Sequence, residues 1–252
     1  MTGLARLQLA DMSVWFLIIA TFLLAGLVKG AIGMGLPTVA MGLLALVLPP
    51  AEAAAILVVP SFVTNAWQLM VGGALGVLVR RLWPMTLAVL VSTIASASVL
   101  AGNVAGLAKI GLGVTLALYA AVGLMGFRWT VAPRHERWLG PAIGATTGLV
   151  TGATGVFVIP AVPYLQAIGL ERDELIQALG LSFTVSTVAL ALGLLRVGAW
   201  QMNDVWTSLL ALAPAVAGMY AGQWLRRRFS AATFRRVFFA GVLLLGATLA
   251  LA

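Results

Sequence analysis

Lys29 is the residue in this chain best placed to do chemistry. It sits in the apolar, glycine-rich stretch Gly26-Leu27-Val28-Lys29-Gly30-Ala31-Ile32-Gly33. An ammonium near the interior of a bilayer costs about 2.5–3.5 kcal/mol on insertion scales, which makes it a functional-site candidate. The competing reading is snorkelling, with the butyl stem on apolar surface and the charge at an interface. Gly30, Gly33 and Gly35 tilt the balance toward function, because they free backbone N–H groups beside the charge. A helix restarting near 33–35 would aim the positive end of its dipole at the same place, which suits an anion.

The stretch recurs 122 residues later as Gly148-Leu149-Val150-Thr151-Gly152-Ala153-Thr154-Gly155, identical at six of eight positions. A repeat at nearly half the chain length points to duplication. Paired apolar segments interrupted by glycine at matching positions are a sequence pointer to a transporter's binding site. The copies differ at Lys29/Thr151 and Ile32/Thr154. One lobe therefore offers a cation and the other, with Thr151, Gly152, Thr154 and Gly155, offers hydroxyls and a second helix restart at Gly155. Pro37 and Pro160 follow close behind, compatible with an early turn of a restarted helix. Close helix packing is the alternative use of small residues. It accounts for Gly140, Gly144 and Gly148 and for the pair Gly218 and Gly222, and less well for Gly33, Gly35 and Gly155.

A second polar feature accompanies each copy. Ser61, Thr64, Asn65 and Gln68 fall at i, i+3, i+4 and i+7, one face of an otherwise apolar helix. In the second half, Ser182-Phe183-Thr184 echoes Ser61-Phe62-Val63, and Ser186 then aligns with Asn65. Hydroxyls in membrane helices often bond their own carbonyls. Asn65 and Gln68 each carry a whole amide that needs partners, so this stripe is expected to face a central cavity. Ser92, Ser96 and Asn103 read as packing with interfacial polarity.

The residues that are missing narrow the mechanism. The chain has no Cys and one His, His135, in the charged run Arg134-His135-Glu136-Arg137. No metal site, cofactor or catalytic residue is therefore expected. The seven acids, Asp11, Glu52, Glu136, Glu171, Asp173, Glu174 and Asp204, fall at expected segment ends. No mid-membrane carboxylate is in place to relay protons or hold a metal cation. A monovalent anion leaving a cell at about 100 mV, negative inside, gains about 2.3 kcal/mol. Export needs no coupling ion; accumulation would need one, with a proton or Na⁺ the candidates.

These residues require elements to position them. The chain is 62% hydrophobic and 9% charged with mean hydropathy +1.08, far from the quarter charged of a soluble domain. Charge-free runs such as 53–79, 82–108 and 138–170 exceed the ~20 residues that cross hydrocarbon as a helix. They do not alternate, so helices rather than a barrel follow. Five segments per half are expected: 13–28, 35–49, 52–73, 83–103 and 107–127, then 139–152, 156–169, 174–195, 204–224 and 232–252. The first two of each half are short, reading as a broken or re-entrant helix pair followed by three transmembrane helices. Residues 1–127 and 139–252 are the two repeats, with 128–138 a cytoplasmic linker.

Loop charge sets the orientation. Arg80/Arg81, then Arg128, Arg134 and Arg137, then Arg226, Arg227, Arg228, Arg235 and Arg236 mark three loops that face the cytoplasm by the positive-inside rule. The halves then have opposite orientation, an inverted repeat, and both termini lie outside, in the periplasm. The net charge of +8 sits in these loops, and no basic domain exists for nucleic acid.

At these residues the chain resembles the sulfite exporter TauE/SafE family, also called the toluene sulfonate uptake permease family. The resemblance rests on the duplicated octapeptide with Gly35-Leu36-Pro37 and Val158-Ile159-Pro160, on the Ser-Phe-Xaa segments at 61–63 and 182–184, and on the Arg-rich stretch before the last helix. It covers essentially the whole chain. It departs at Phe157, where Gly35 would match, so the two half-sites are not equivalent. The resemblance implies a secondary transporter in the bacterial inner membrane that moves a small sulfur-containing anion by alternating access. Sulfite, sulfoacetate or another organosulfonate is the implied substrate. Another small anion such as a carboxylate is the neighbouring alternative. A membrane-embedded enzyme is disfavoured by the scarcity of acid–base groups, and a scaffold remains the third.

Overall fold

The computed structural model describes residues 3–102, 105–126, 129–228 and 231–251, without the side chains of 3–11, 105, 202–203 and 231. Asn103, Arg128 and the Asp11 carboxylate lie outside what is described. Ten helices make up the rest: α1 (Gly3–Ile32), α2 (Leu36–Leu44), α3 (Pro50–Met70), α4 (Leu75–Ala101), α5 (Ala105–Met125), α6 (Pro133–Thr154), α7 (Ala161–Ala167), α8 (Arg172–Arg196), α9 (Met202–Arg226) and α10 (Ala231–Leu251). Among the described residues there is no strand. Seven helices, all but α2, α6 and α7, are long and apolar enough to cross a membrane. The protein is an all-α, multi-pass integral membrane protein. Large apolar side chains such as Phe16, Trp67, Leu107, Trp206 and Leu244 stand exposed on its outside, as expected of helices solvated by lipid.

Local sequence explains the helix ends. Pro50 opens α3, and Glu52 in the first turn complements the dipole. Glu171 with Glu174, and Gln201 with Asp204, form reciprocal capping boxes on α8 and α9. Pro60 lies inside α3 and cannot donate to the carbonyl of Ile56, one turn back. The Ser208 hydroxyl of α9 donates to that carbonyl at 2.7 Å and accepts from Val59 N–H at 3.0 Å. A helix break in lipid is thus repaired by a neighbouring side chain.

Four expectations need correction. The octapeptides do not interrupt their helices: α1 runs on to Ile32 and α6 to Thr154, and only the final glycines, Gly33 (φ 80°) and Gly155 (φ 73°), break the chain. The leading segments are therefore long, at 30 and 22 residues, and only α2 and α7 are short. Glycines cost a helix about 1 kcal/mol each, but here they sit where backbones touch, and that packing offsets the cost. Second, Gly155 is not followed by a helix restart; five residues intervene before α7, which has only seven residues. Third, Arg80 and Arg81 lie in the opening turns of α4 rather than in a loop. Fourth, residues 133–138 are the start of α6 rather than linker.

Two seams organise the packing. Along α1 and α9, a Cβ at Gly26 or Gly30 would strike the carbonyl of Ala215 or Met219, and one at Gly218 or Gly222 would strike that of Leu23 or Leu27. Along α4 and α6, Gly144, Gly148 and Gly152 abut Met85, Val89 and Ser92, and Thr93 and Ser96. In both seams the helices run parallel. By contrast α3 and α8 run antiparallel, with Gln68 beside Gly180 and Asn65 beside Thr187. So do α5 and α10, with Gly113 beside Leu249 and Gly123 beside Phe239. Exchanging α1–α5 for α6–α10 maps these principal pairings onto themselves.

Candidate functional site

Three helices meet at Lys29. Its side chain is only 4% exposed, so it does not snorkel. The ammonium donates to Asn65 Oδ1 of α3, and Asn65 Nδ2 donates to Thr187 Oγ1 of α8 at 3.3 Å. No carboxylate among the described residues lies within ion-pair distance of it; the ion pair among them joins Arg81 to Glu136. A buried ammonium with one amide acceptor and no counter-charge has unused donors, which is the electrostatic condition an anion would relieve.

The buried hydroxyls of α2, α3, α6 and α8 divide into two groups. Thr64 donates to Pro60 O, Thr151 to Thr147 O and Thr154 to Val150 O, each at 2.7 Å. A hydroxyl has one proton, so these donate to their own helices, and Thr154 also accepts from Val156 N–H at 3.3 Å. Ser61 on α3, Ser182 and Ser186 on α8, and Thr38 on α2 are buried with no partner at all. They retain free donors. The α2 N-terminus has Gly35 as its cap residue, at φ 101°, with no side-chain cap. Gly30 and Gly152 sit in the two seams, where their lack of a side chain admits the neighbouring backbone.

Gln68 plays a different part. Its amide donates to Ile176 O at 3.0 Å, while Gln177 donates to Leu69 O at 2.9 Å and accepts from Ala74 N–H at 3.0 Å. Together these amides clasp the end of α3 to the start of α8. Ser92 and Ser96 bond to carbonyls of their own helix, and Ser96 also reaches Gly148 O at 3.3 Å, in keeping with packing.

The polar stripe does not face an open cavity. The large cavity, about 870 Å³, lies between the ends of α1, α5 and α9 and the starts of α8 and α10, with α7. Of the residues predicted for the site, only Gly33 lines it; Ala31, Ile32 and Met34 form the adjoining wall. Packing directions place this mouth at the Arg80/Arg81 end of the fold. The equivalent turn of the second half is closed: Thr154, Gly155, Val156 and Phe157 are buried, and Gly155 packs on Met41 and Ala54. The Gly33 turn borders the cavity and the Gly155 turn is buried.

Thr187, Gln177 and the cavity's Arg172 do not stand out in the sequence. Thr187 lies 122 residues after Asn65, the interval of the octapeptide, and that signal could have found it. Alignment on Ser-Phe shifts the second half by one residue and points to Ser186 instead.

The model of the family described as "Sulfite exporter TauE/SafE" matches residues 18–249. No curated protein and no solved structure matches the chain.

Proposed function

The chain belongs to the sulfite exporter TauE/SafE family of membrane transporters, and from that premise we propose that it moves a small sulfur oxyanion, such as sulfite or sulfoacetate, past Lys29. The observation that carries this reading is Lys29 itself, buried without a carboxylate at the α3/α8 crossing. Its unused donors, with the free hydroxyls of Ser61, Ser182, Ser186 and Thr38, match the demand of a trigonal or tetrahedral oxyanion for several donors at once. The anion would displace or share the Asn65 carbonyl contact.

Alternating access is the mechanism the packing favours. Corresponding helices α3 and α8 are antiparallel, which supports an inverted repeat, with one half related to the other by a two-fold axis in the membrane plane. The vestibule beside Gly33 is open and its counterpart beside Gly155 is closed, so the fold is read as one of two mirror states. Charge on the open side, at Arg80, Arg81, Arg134, Arg137 and Arg226–Arg228, favours placing that side in the cytoplasm of a bacterial inner membrane. The described start of α1 and end of α10 lie at the opposite end, so both termini belong in the periplasm.

Proteoliposomes loaded with sulfite or sulfoacetate test the substrate, with and without proton or Na⁺ gradients to identify a coupling ion. Flux of at least one anion, abolished by Lys29→Ala, is the expected result. If no sulfur anion moves, or Lys29→Ala leaves flux unchanged, the assignment fails. Because the chain has no Cys, single cysteines report access without background. Thr130→Cys should label from the cytoplasmic side and Thr154→Cys should not.

A further inference from the structure

The cavity is too large for the anion proposed above. At about 870 Å³ it falls in the range of pockets that hold drug-sized ligands, about 300–1,000 Å³. Its charged lining residues are Arg172, Arg226 and Arg235, and no acid lines it among the described residues. Glu171, Asp173 and Glu174 flank Arg172 in sequence but stay outside the lining. A mouth with one sign of charge over low-dielectric walls concentrates counter-ions.

Depth separates the two chemistries. The arginines, with Thr130 and Gln166, are exposed. The buried part of the lining is Ala31, Tyr119, Val162, Ala167, Leu179 and Phe239. The one polar side-chain atom there, the Tyr119 hydroxyl, already donates to Met34 Sδ at 3.2 Å, and its ring packs edge-on against Phe239. A bare oxyanion would find attraction at the rim and no free side-chain donor among the buried lining residues.

We propose that this vestibule is a second binding site, distinct from Lys29, for an organic anion that carries its charge at one end of an apolar body. The head group lies among Arg172, Arg226 and Arg235, and the body lies against Tyr119, Leu179 and Phe239. Sulfonate, carboxylate or phosphate can each serve as head group, because guanidinium pairs with all three. An occupant would cover the 31–34 turn that ends α1. The site needs no transport step to exist, so it stands or falls apart from the Lys29 reading.

Calorimetric titration of the purified full-length protein tests this with straight-chain sulfonates from methanesulfonate to hexanesulfonate, the matched carboxylates, and sulfite. Affinity should rise about fourfold per methylene, the equivalent of about 0.8 kcal/mol per buried CH₂, with both head groups following one trend. Arg172→Gln and Arg226→Gln should each weaken every member about tenfold, and Arg226→Lys should restore part of the loss. Lys29→Ala should leave the trend intact. An affinity independent of chain length, or arginine variants that bind like the parent, overturns the site. So does loss of all binding in Lys29→Ala with silent arginine variants, a result that would leave the transport reading standing. Counterflow of hexanesulfonate then tells the source: exchange across the vesicle identifies cargo waiting on its path, and block of sulfite flux without exchange identifies a resident amphiphile.

Discussion

Asn65 and Thr187 are hydrogen bonded at 3.3 Å and lie 122 residues apart, the interval that separates Lys29 from Thr151. In an antiparallel pair of corresponding helices, a residue can meet its own counterpart only where the relating axis passes. The two-fold axis proposed above would therefore cross the α3/α8 contact at this bond. Lys29 reaches the bond from one half, while Thr151 turns away and donates to Thr147 O. The frame proposed as two-fold thus carries its charge on one side.

Substitutions at Asn65 separate folding from transport. Asn65→Asp supplies Lys29 with a fixed carboxylate, and should preserve thermal stability while cutting sulfite flux at least tenfold. Asn65→Leu strips the ammonium of its acceptor and should cost about 1.5–3 kcal/mol, the range for hydrogen bonds to charged groups. Unfolding of the purified variants in mixed micelles measures the stability of both, and flux in proteoliposomes measures transport.

Ser208→Ala should destabilise by about 1–3 kcal/mol by leaving the Ile56 carbonyl without a donor beside Pro60. Pairing it with Pro60→Ala, which restores the helical N–H, should recover most of the loss. Additive losses in this double-mutant cycle would remove the repair role given to Ser208.

Gly222→Leu should prevent stable assembly, because the Cβ alone falls on the Leu27 carbonyl. Gly76, in α4, has open space within 4 Å of where a Cβ would stand, and Gly76→Ala should be neutral or stabilise by up to about 1 kcal/mol. Detergent-resistant folded yield distinguishes the two.

Gln177→Leu removes the bonds to Leu69 and Ala74 together. Hydrogen exchange should rise selectively at residues 71–74, with a cost of about 2 kcal/mol by analogy with single buried hydrogen bonds of about 1 kcal/mol each. Unchanged exchange at that turn would mean the clasp is not what holds it.

Much of the architecture is legible in the sequence. Long charge-free runs and glycines at fixed intervals announce membrane helices in a duplicated order, and a lysine in such surroundings announces itself. Helix limits are less legible where glycine is the signal, because Gly26 and Gly30 read as breakers until α9 supplies the backbone that fits against them. The roles of Thr151 and Thr154 are hidden for a related reason: whether a hydroxyl donates inward to its own turn or outward depends on its neighbours. Gln68 reads as a cavity residue, and only the approach of Ile176 from α8 makes it a clasp. The arginine-mouthed vestibule draws on six helices and has no local signature.

The two glycine seams have one more consequence. Each joins a helix of one half to a helix of the other, α1 to α9 and α6 to α4, so the units that are mechanically rigid cut across the units that are contiguous in the chain. A severed chain, split near 127–132 and expressed as two pieces, would have to interleave before either piece could close its own interior. The two halves are partners in the manner of clasped hands.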